Sequence, residues 1–279
     1  MNEVKRLLTI GLVTDIHYAD AKARINRYYR ESLTKLEEAA RVLREKKVAL
    51  AVNLGDLIDA GEKADTATEI EFLKRIDSVF ANIAPERHYI LGNHCVATLK
   101  KSEFLATVGK KRSYYSLQRS GVHLIFLDAC FRSDGVAYGE GPFEWTDTEI
   151  PMAQRQWLKA TLKKASGPVV VFVHQRLDTP PGSHYTIKSA PEVRQILEQS
   201  KKVSAVFMGH SHGNDQALIN GIPYLTLAAM VEGSGPESSG YSALSIFSDG
   251  SIELEGFRKH AQHPAHAKRL QPIPALEAL

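Results

Sequence analysis

The chain has 279 residues, of which 43% are hydrophobic and 24% charged, a composition typical of globular proteins that excludes wholesale disorder. The 35 lysines and arginines nearly balance the 32 aspartates and glutamates, so net charge does not by itself indicate nucleic-acid or membrane binding. No apolar run approaches the roughly 20 residues of a membrane span. Two cysteines, Cys95 and Cys130, are too few for a disulfide framework. We therefore expect a soluble, cytoplasmic enzyme or binding domain.

Apolar runs of strand length recur along the chain and alternate with helical patterns in its first half. The runs lie at residues 7–13, 48–54, 87–91, 122–127, 169–173, 203–208, 224–227, 243–247 and 251–257. Several are apolar throughout, as expected of strands buried on both faces. Apolar stripes predict helices near residues 29–43, 73–83 and 157–162, and Ser189 with Glu192 predicts a capping box for another. This alternation favours parallel strand pairing.

The end of the chain follows a different pattern. The Asp-Gly pair at 249–250 lies between two apolar stretches and predicts a hairpin, so the last strands are expected to be antiparallel. We predict one mixed-sheet domain over residues 1–258. Residues 259–279 contain three prolines and three histidines, His260, His263 and His266. We interpret this segment as a loosely ordered C-terminal tail, with a metal-binding tail as the alternative.

Polar side chains of metal-binding type follow the ends of five predicted strands. They are Asp15, His17, Asp56, Asn93, His94, His174, His210 and His212. In an open α/β sheet, ligands gather outside the carboxyl ends of the strands, so we expect these side chains to converge. Imidazole and carboxylate suit zinc, iron, manganese or nickel, and the set is too large for one tetrahedral ion. Gly55 and Gly92 precede donors and are predicted to let the backbone turn sharply.

Five short motifs occur in order along this part of the chain. They are DIH at 15–17, GDLID at 55–59, GNH at 92–94, a histidine directly after VVVFV at 169–173, and GHSH at 209–212. Together, each after a strand, they resemble the motifs of the calcineurin-like metallophosphoesterases. The resemblance implies an α/β fold, a four-layer α/β/β/α sandwich with two mixed sheets, and a dinuclear metal centre between strand ends.

The resemblance also implies a role for each matched residue. The ligands of the first ion would be Asp15, His17 and His212, those of the second Asn93, His174 and His210, and Asp56 would bridge both. His94 would not be a ligand, and would protonate the leaving alkoxide or stabilise the transition state. Asp59, in GDLID, would orient a ligand imidazole.

One position departs from the family pattern. The residue after GNH is usually an acid, and here it is Cys95. If that acid holds the histidine of the motif, His94 is expected to lose an orienting partner, which should weaken its function as a proton donor. We interpret Cys95 as a small buried side chain, the alternative being a redox-sensitive or metal-proximal thiol.

A narrower resemblance is to the manganese-dependent ADP-ribose/CDP-alcohol diphosphatases. It rests on RYYRESL at 27–33, FLDA at 126–129, QWL at 156–158 and the region 231–240. It implies a nucleotide-type substrate and favours manganese over iron, zinc or nickel. Arg24, Arg27 and Tyr28 precede the first helix, where guanidinium and aromatic groups suit phosphate and base. The segment Ser183-His184-Tyr185 is a second possible pocket wall. The alternatives are a solvated helix start and an ordinary exposed loop.

The predicted function is therefore hydrolysis of a phosphodiester or diphosphate bond by in-line attack of a hydroxide held between two ions. The motifs leave phosphomonoesterase and cyclic-nucleotide phosphodiesterase activity open. A non-catalytic binding protein on the same scaffold is the alternative from another class, and the complete set of ligand types favours the enzyme. The expected partner is a small phosphate ester or nucleotide, with no polymeric nucleic acid and no membrane; the oligomeric state stays open.

Overall fold

The computed structural model of the protein describes residues 3–62, 64–180 and 182–271. The strands are β1 (Arg6–Val13), β2 (Leu50–Asn53), β3 (Glu86–Tyr89), β4 (Tyr115–Arg119), β5 (Val122–Phe126), β6 (Val169–Phe172), β7 (Val203–Met208), β8 (Asp215–Ile219), β9 (Ile222–Thr226), β10 (Gly240–Phe247), β11 (Ile252–Arg258) and β12 (Arg269–Leu270). The helices are α1 (Ser32–Glu45), α2 (Thr66–Phe80), α3 (Lys101–Thr107), α4 (Met152–Lys164) and α5 (Ala190–Ser200). Among the helices described, none combines the length and apolar character that a bilayer crossing requires.

The strands form two mixed sheets of six strands each. The first has the order β12-β11-β10-β1-β2-β3, with β1, β2 and β3 parallel and β10 to β12 antiparallel. The second has the order β4-β5-β6-β7-β9-β8, parallel in its centre and antiparallel at both edges. Both the parallel pairing of the first half and the predicted hairpin between β10 and β11 are confirmed.

Three apolar clusters hold four layers together. One joins the facing sides of the two sheets, with side chains from β1, β2 and β10 against those of β5, β6 and β7. A second packs α1, α2 and α3 on the outer face of the first sheet, and a third packs α4 and α5 on the second. The α/β/β/α sandwich with two mixed sheets is therefore confirmed. Because the central strands are covered on both faces, their sequences are apolar without alternation.

The elements that the sequence pattern did not predict lie mostly at the edges. Strands β4 and β8 are the outer strands of the second sheet, and their partly exposed side chains interrupt the apolar pattern. The predicted capping box at the start of α5 is wrong. Ser189 makes no side-chain cap bond, because its hydroxyl lies 3.3 Å from the backbone nitrogen and 3.4 Å from the carbonyl oxygen of Ile150.

The segment after β11 differs from the loosely ordered tail that we expected. Residues Lys259–Gln262 form a short 3-10 helix, and β12 pairs with β11. His260 is fully buried and His263 nearly so. Within residues 259–271 the chain therefore belongs to the sandwich, because these imidazoles pack inward and bond to backbone. Residues 272–279 of the predicted tail lie outside the described residues.

Candidate metal centre

The eight side chains of metal-binding type meet at the carboxyl ends of the strands, seven of them in close groups and Asn93 in the same cleft. Three groups of side chains each bring one donor atom per residue to within 4.8 Å of one another. The groups are Asp15 with His17 and His212, His17 with Asp56 and His94, and Asp56 with His174 and His210. Because the groups share members, they form one continuous centre.

Distances within the centre divide it into two halves joined by Asp56. In one half, Nε2 of His212 lies 3.2 Å from Nε2 of His17 and 3.5 Å from Oδ1 of Asp15. In the other, Oδ2 of Asp56 lies 3.1 Å from Nε2 of His174. The same Oδ2 lies 3.7 Å from Nε2 of His17. Asp56 is therefore placed to contribute to both halves.

The backbone adopts an unfavourable conformation at five of the donors. Their φ angles are positive: 49° at Asp15, 47° at His17, 48° at Asp56, 70° at His210 and 61° at His212. Only a few per cent of non-glycine residues occupy this left-handed region, and each such residue costs of order 1–3 kcal/mol. Such strain persists where the surrounding structure holds the residue in place and is concentrated at functional sites.

Three glycines let the donors approach one another. A Cβ atom on Gly92 would lie 2.1 Å from Oδ1 of Asp56, and one on Gly209 would lie 2.5 Å from Oδ2 of Asp15. A Cβ atom on Gly55 would lie 2.2 Å from Nδ1 of His174, and Gly55 also has φ of +116°. Gly55 therefore lets the backbone turn, as predicted. At Gly92, a side chain would instead collide with Asp56.

Outer partners fix the direction of the imidazoles. Nδ1 of His17 lies 3.0 Å from a carboxylate oxygen of Asp59. Nδ1 of His212 lies 2.8 Å from Oε1 of Glu232, and Nδ1 of His174 lies 2.9 Å from the carbonyl oxygen of Leu54. An Nδ1 hydrogen that is donated outward leaves Nε2 as the free donor atom facing the centre.

His94 has an orienting partner after all. Its Nδ1 lies 3.0 Å from Oδ1 of Asp59, the same carboxylate that holds His17. The expectation that Cys95 deprives His94 of such a partner is therefore wrong. Cys95 is fully buried, as we interpreted it, and its Sγ accepts a hydrogen bond from the backbone of Leu57. Burial, reinforced by the charge of Asp56, raises the pKa of this thiol to about 12.

Interactions with oppositely charged neighbours outweigh burial in setting the pKa values of Asp56 and His212. Burial alone would raise the pKa of Asp56, but the charges of His174 and His94 outweigh it and hold that pKa well below its ordinary value. Burial would lower the pKa of His212, but its bonds to Asp15 and Glu232 raise it to about 9. The imidazole of His212 therefore carries a proton that a bound cation would displace.

The donor set fits metal ions, as two buried atoms show. Nε2 of His210 and Oδ1 of Asn93 are buried and have no hydrogen-bond partner among the described residues. Burial, together with the charge of His174, lowers the pKa of His210 to about 3, so its imidazole is neutral and able to bind a cation. Buried polar atoms without partners are rare, and a coordinated ion would satisfy both.

The structure brings one of the four predicted substrate contacts to the centre. Arg27 lines a cleft of about 340 Å³ above it, with Nη1 3.6 Å from Oδ2 of Asp59. Arg24 is exposed on the other side of a turn. Tyr28 is half-buried near the ammonium of Lys35. His184 lines a separate cavity. The structure therefore does not place Arg24, Tyr28 or His184 in the cleft.

Four other residues line the cleft: Trp145, Tyr185, Ser211 and Glu232. Of these, we expected only Tyr185 at a pocket wall, in the same segment as His184. Trp145 and Tyr185 lie in long loops, where sequence periodicity gives no information on direction. Ser211 lies between the predicted ligands His210 and His212 in GHSH. This position in the motif is the sequence feature that could have identified Ser211 as a site residue.

Comparisons with known proteins identify the family and the fold. The family model for calcineurin-like phosphoesterases matches residues 8–214. A zebrafish protein, "Crystal Structure of a dimetal phosphatase from Danio rerio LOC 393393", superposes with a TM-score of 0.76 over 96% of this chain and 100% of that chain. The identity is 19%, so this similarity concerns the fold.

Curated relatives match shorter stretches. A Xenopus laevis protein named manganese-dependent ADP-ribose/CDP-alcohol diphosphatase is 34% identical over 94 residues, which are 31% of this chain and 26% of the relative. A Fibrobacter succinogenes protein named "Probable cyclic nucleotide phosphodiesterase/" is 24% identical over 226 residues, 75% of this chain and 74% of that protein. The match thus spans about a quarter of the Xenopus diphosphatase. Since the family model covers most of the sequence, the chain belongs to the calcineurin-like phosphoesterase family.

Proposed function

We propose that the chain hydrolyses phosphodiester or diphosphate bonds in small nucleotide-type substrates, with two divalent ions and manganese favoured over iron, zinc or nickel. The observation that carries the proposal is the position of Asp56 between two groups of imidazoles. The unpartnered atoms of His210 and Asn93 complete one of these groups. A cytoplasmic location and a small-molecule partner are part of the same proposal.

Two ions bound there would polarise the phosphoryl oxygens and lower the pKa of a water molecule towards neutrality. His94 acts on the leaving group, on the side of the phosphorus opposite the attacking oxygen. Burial would lower its pKa, but the charge of Asp56 and the bond to Asp59 raise it above the ordinary value. Since Nδ1 is held by Asp59, Nε2 is the atom that can donate a proton to the leaving oxygen.

Arg27 supports a substrate with more than one phosphate or with a further anionic group. Its guanidinium lies in the cleft, half-exposed and only weakly held by Asp59. A guanidinium binds a phosphate through two parallel hydrogen bonds. The diphosphatases among the relatives are named for ADP-ribose and CDP-alcohols, which contain a diphosphate.

A substrate panel tests the proposal. Manganese-loaded protein is compared on ADP-ribose, cyclic AMP, bis-p-nitrophenyl phosphate and p-nitrophenyl phosphate, with the metal content measured on the same sample. We expect two ions per chain and the highest kcat/KM on ADP-ribose. Preference for cyclic AMP would favour the activity for which the Fibrobacter relative is named. Preference for the monoester would favour a phosphomonoesterase, and no turnover on any substrate would favour a non-catalytic binding protein.

Arg27→Ala tests the substrate class more closely. Loss of a hydrogen-bonded charged contact costs about 1.5–3 kcal/mol, so KM for ADP-ribose is expected to rise about 10- to 100-fold. KM for bis-p-nitrophenyl phosphate should change much less. Arg24→Ala is the matched control, because Arg24 is the same residue type on the same turn but exposed. Equal effects on both substrates, or equal effects of both variants, would contradict the assignment.

A further inference from the structure

Two large aromatic side chains remain exposed at the edge of the metal centre. Trp145 and Tyr185 are each 40% exposed, and both line the cleft that contains Asp56, His94 and His210. Trp145 lies in the connection between β5 and α4, and Tyr185 lies in the connection between β6 and α5. Exposed aromatic surface inside a concave polar cleft is typical of ligand contact.

Both rings stand beside His210. The centroid of the Trp145 ring lies 5.5 Å from that of His210, and the centroid of the Tyr185 ring lies 5.6 Å from it, both edge to face. The two aromatic rings are 5.9 Å apart and inclined at 44°. Since they are tilted and not stacked on each other, they form a wall on which a planar group can pack.

Contacts between and within the two connections hold this wall in place. The backbone nitrogen of Lys188 donates to the carbonyl of Thr148 over 2.9 Å, and the Lys188 ammonium pairs with Asp147. The hydroxyl of Tyr138 donates to the carbonyl of Asp147 over 2.8 Å. The carbonyl of Tyr185 itself accepts a hydrogen bond from the backbone of Arg176. A wall that is already in place reduces the entropy lost on binding.

The proton donor stands beside a different imidazole. The ring of His94 lies 4.6 Å from that of His17, and Asp59 joins both to Arg27. In an in-line displacement, the leaving oxygen must face the proton donor. A group that occupies the side of His94 and Arg27 is therefore the leaving group. The side opposite the leaving oxygen belongs to the attacking oxygen, and the group that stays on phosphorus projects sideways from the line between the two. It can therefore extend towards the aromatic wall beside His210.

We propose that Trp145 and Tyr185 form a subsite for the planar ring of the group that remains esterified to the attacked phosphorus. For a nucleotide substrate, this ring is the base of the nucleoside monophosphate that is released as product. The leaving group lies towards Arg27 and His94. This inference rests on the proposed function and specifies which half of the substrate the wall recognises.

Two substrates with the same leaving group test this assignment. Thymidine 5′-(p-nitrophenyl phosphate) and methyl p-nitrophenyl phosphate both release p-nitrophenolate, but only the first retains a base on phosphorus. Stacking of a base on an aromatic ring strengthens binding. Trp145→Leu or Tyr185→Leu should therefore raise KM for the thymidine ester about 5-fold or more. KM for the methyl ester should be unchanged. Equal losses on both esters would mean that the wall holds the leaving group, and no loss on either would mean that it holds no substrate; both results would overturn the proposal.

Fluorescence gives a test that does not depend on turnover. The chain has two tryptophans, and Trp157 packs against Tyr114, 5.1 Å between ring centroids. In manganese-loaded Trp157→Phe, adenosine 5′-monophosphate should change the emission of Trp145, whereas ribose 5-phosphate should not. Trp145→Phe, which keeps Trp157, is the matched control and should not respond. A response to the nucleotide without any hydrolysis would refute the proposed function and leave the subsite standing. Hydrolysis of the thymidine ester without a nucleotide-specific response would refute the subsite alone.

Discussion

The protein contains two clusters of histidines that differ in what their ring nitrogens contact. The centre cluster is His17, His94, His174, His210 and His212, at the carboxyl ends of the strands. The C-terminal cluster is His260, His263 and His266, after the last long strand. By residue type alone, both clusters could bind metal. They differ in the groups that contact their ring nitrogens.

The C-terminal imidazoles are bonded to neutral groups. Nδ1 of His260 lies 2.8 Å from the hydroxyl of Ser242, and Nε2 lies 2.9 Å from the carbonyl of Ala228. Nε2 of His263 lies 3.1 Å from the carbonyl of Thr226, and its Nδ1 accepts a hydrogen bond from the backbone of Ala265. Burial lowers the pKa of His260 to about 3. Both ring nitrogens of His260 and His263 are therefore occupied, and these two rings are structural.

The centre imidazoles face carboxylates or have no partner. Nε2 of His212 and His17 lies within 4 Å of Oδ1 of Asp15, and Nε2 of His210 is unpartnered. Carboxylate with imidazole is a donor set for cations, whereas carbonyl and hydroxyl partners complete a neutral imidazole. The difference shows that partner type, more than the number of histidines, indicates a metal site.

The largest expected effect is that of Asp56→Asn, which removes the charge shared by both halves of the centre. Coordinated ions supply several kcal/mol of transition-state stabilisation, so kcat should fall by more than about 10³-fold. Metal content per chain should fall with it. Asp249→Asn is the matched control, since Asp249 pairs with Arg269 away from the centre. A variant that keeps two ions and full turnover would exclude the proposed role of Asp56.

His94→Ala separates the proton donor from the predicted ligands. General acid catalysis contributes about 10²–10⁴-fold, and a loss of that size is expected on a substrate with a poor leaving group such as ADP-ribose. The loss should be much smaller on a p-nitrophenyl ester, because p-nitrophenolate leaves without a proton. Metal content should stay at the value of the unmodified protein. Since His94 also lies in a group with His17 and Asp56, a loss of one ion would instead assign it as a ligand.

The sequence predicted the buried parts of the fold and the convergence of the candidate donors. Buried strands such as β6 show an unbroken apolar run, whereas β4 and β8 were missed because edge strands are partly polar. Side-chain direction was harder to predict. Arg24 and Arg27 are three residues apart, but their backbones pair across a tight turn, and only Arg27 lines the cleft. Such directions depend on the turn and on distant loops, which periodicity does not encode.

His260 should make the free energy of unfolding depend on pH. Its pKa is about 3 in the folded protein and 6.5 in an ordinary environment, so below pH 6.5 the unfolded chain binds a proton that the folded chain does not. The free energy of unfolding should therefore fall as the pH falls from 6.5 towards 3, by about 2 kcal/mol at pH 5. Denaturant titration of metal-free protein and of His260→Gln at pH 7.5 and 5 measures this. Identical pH slopes in the two proteins would contradict the account.

The smallest expected effect is that of His266→Ala, and it tests the metal-binding alternative for the C-terminal segment directly. Nδ1 of His266 accepts one hydrogen bond, 2.9 Å long, from the backbone nitrogen of Gly256 on β11. Loss of one such bond costs about 0.5–1.5 kcal/mol, so the midpoint of denaturant unfolding should shift only slightly. Metal content and kcat should not change, because His266 bonds to β11, whereas the contact of this segment with Glu232 is made by the Lys259 ammonium, 3.0 Å from the Glu232 carbonyl. If His266→Ala instead removes bound metal while turnover persists, the C-terminal cluster holds an ion of its own, and the contrast between the two clusters fails.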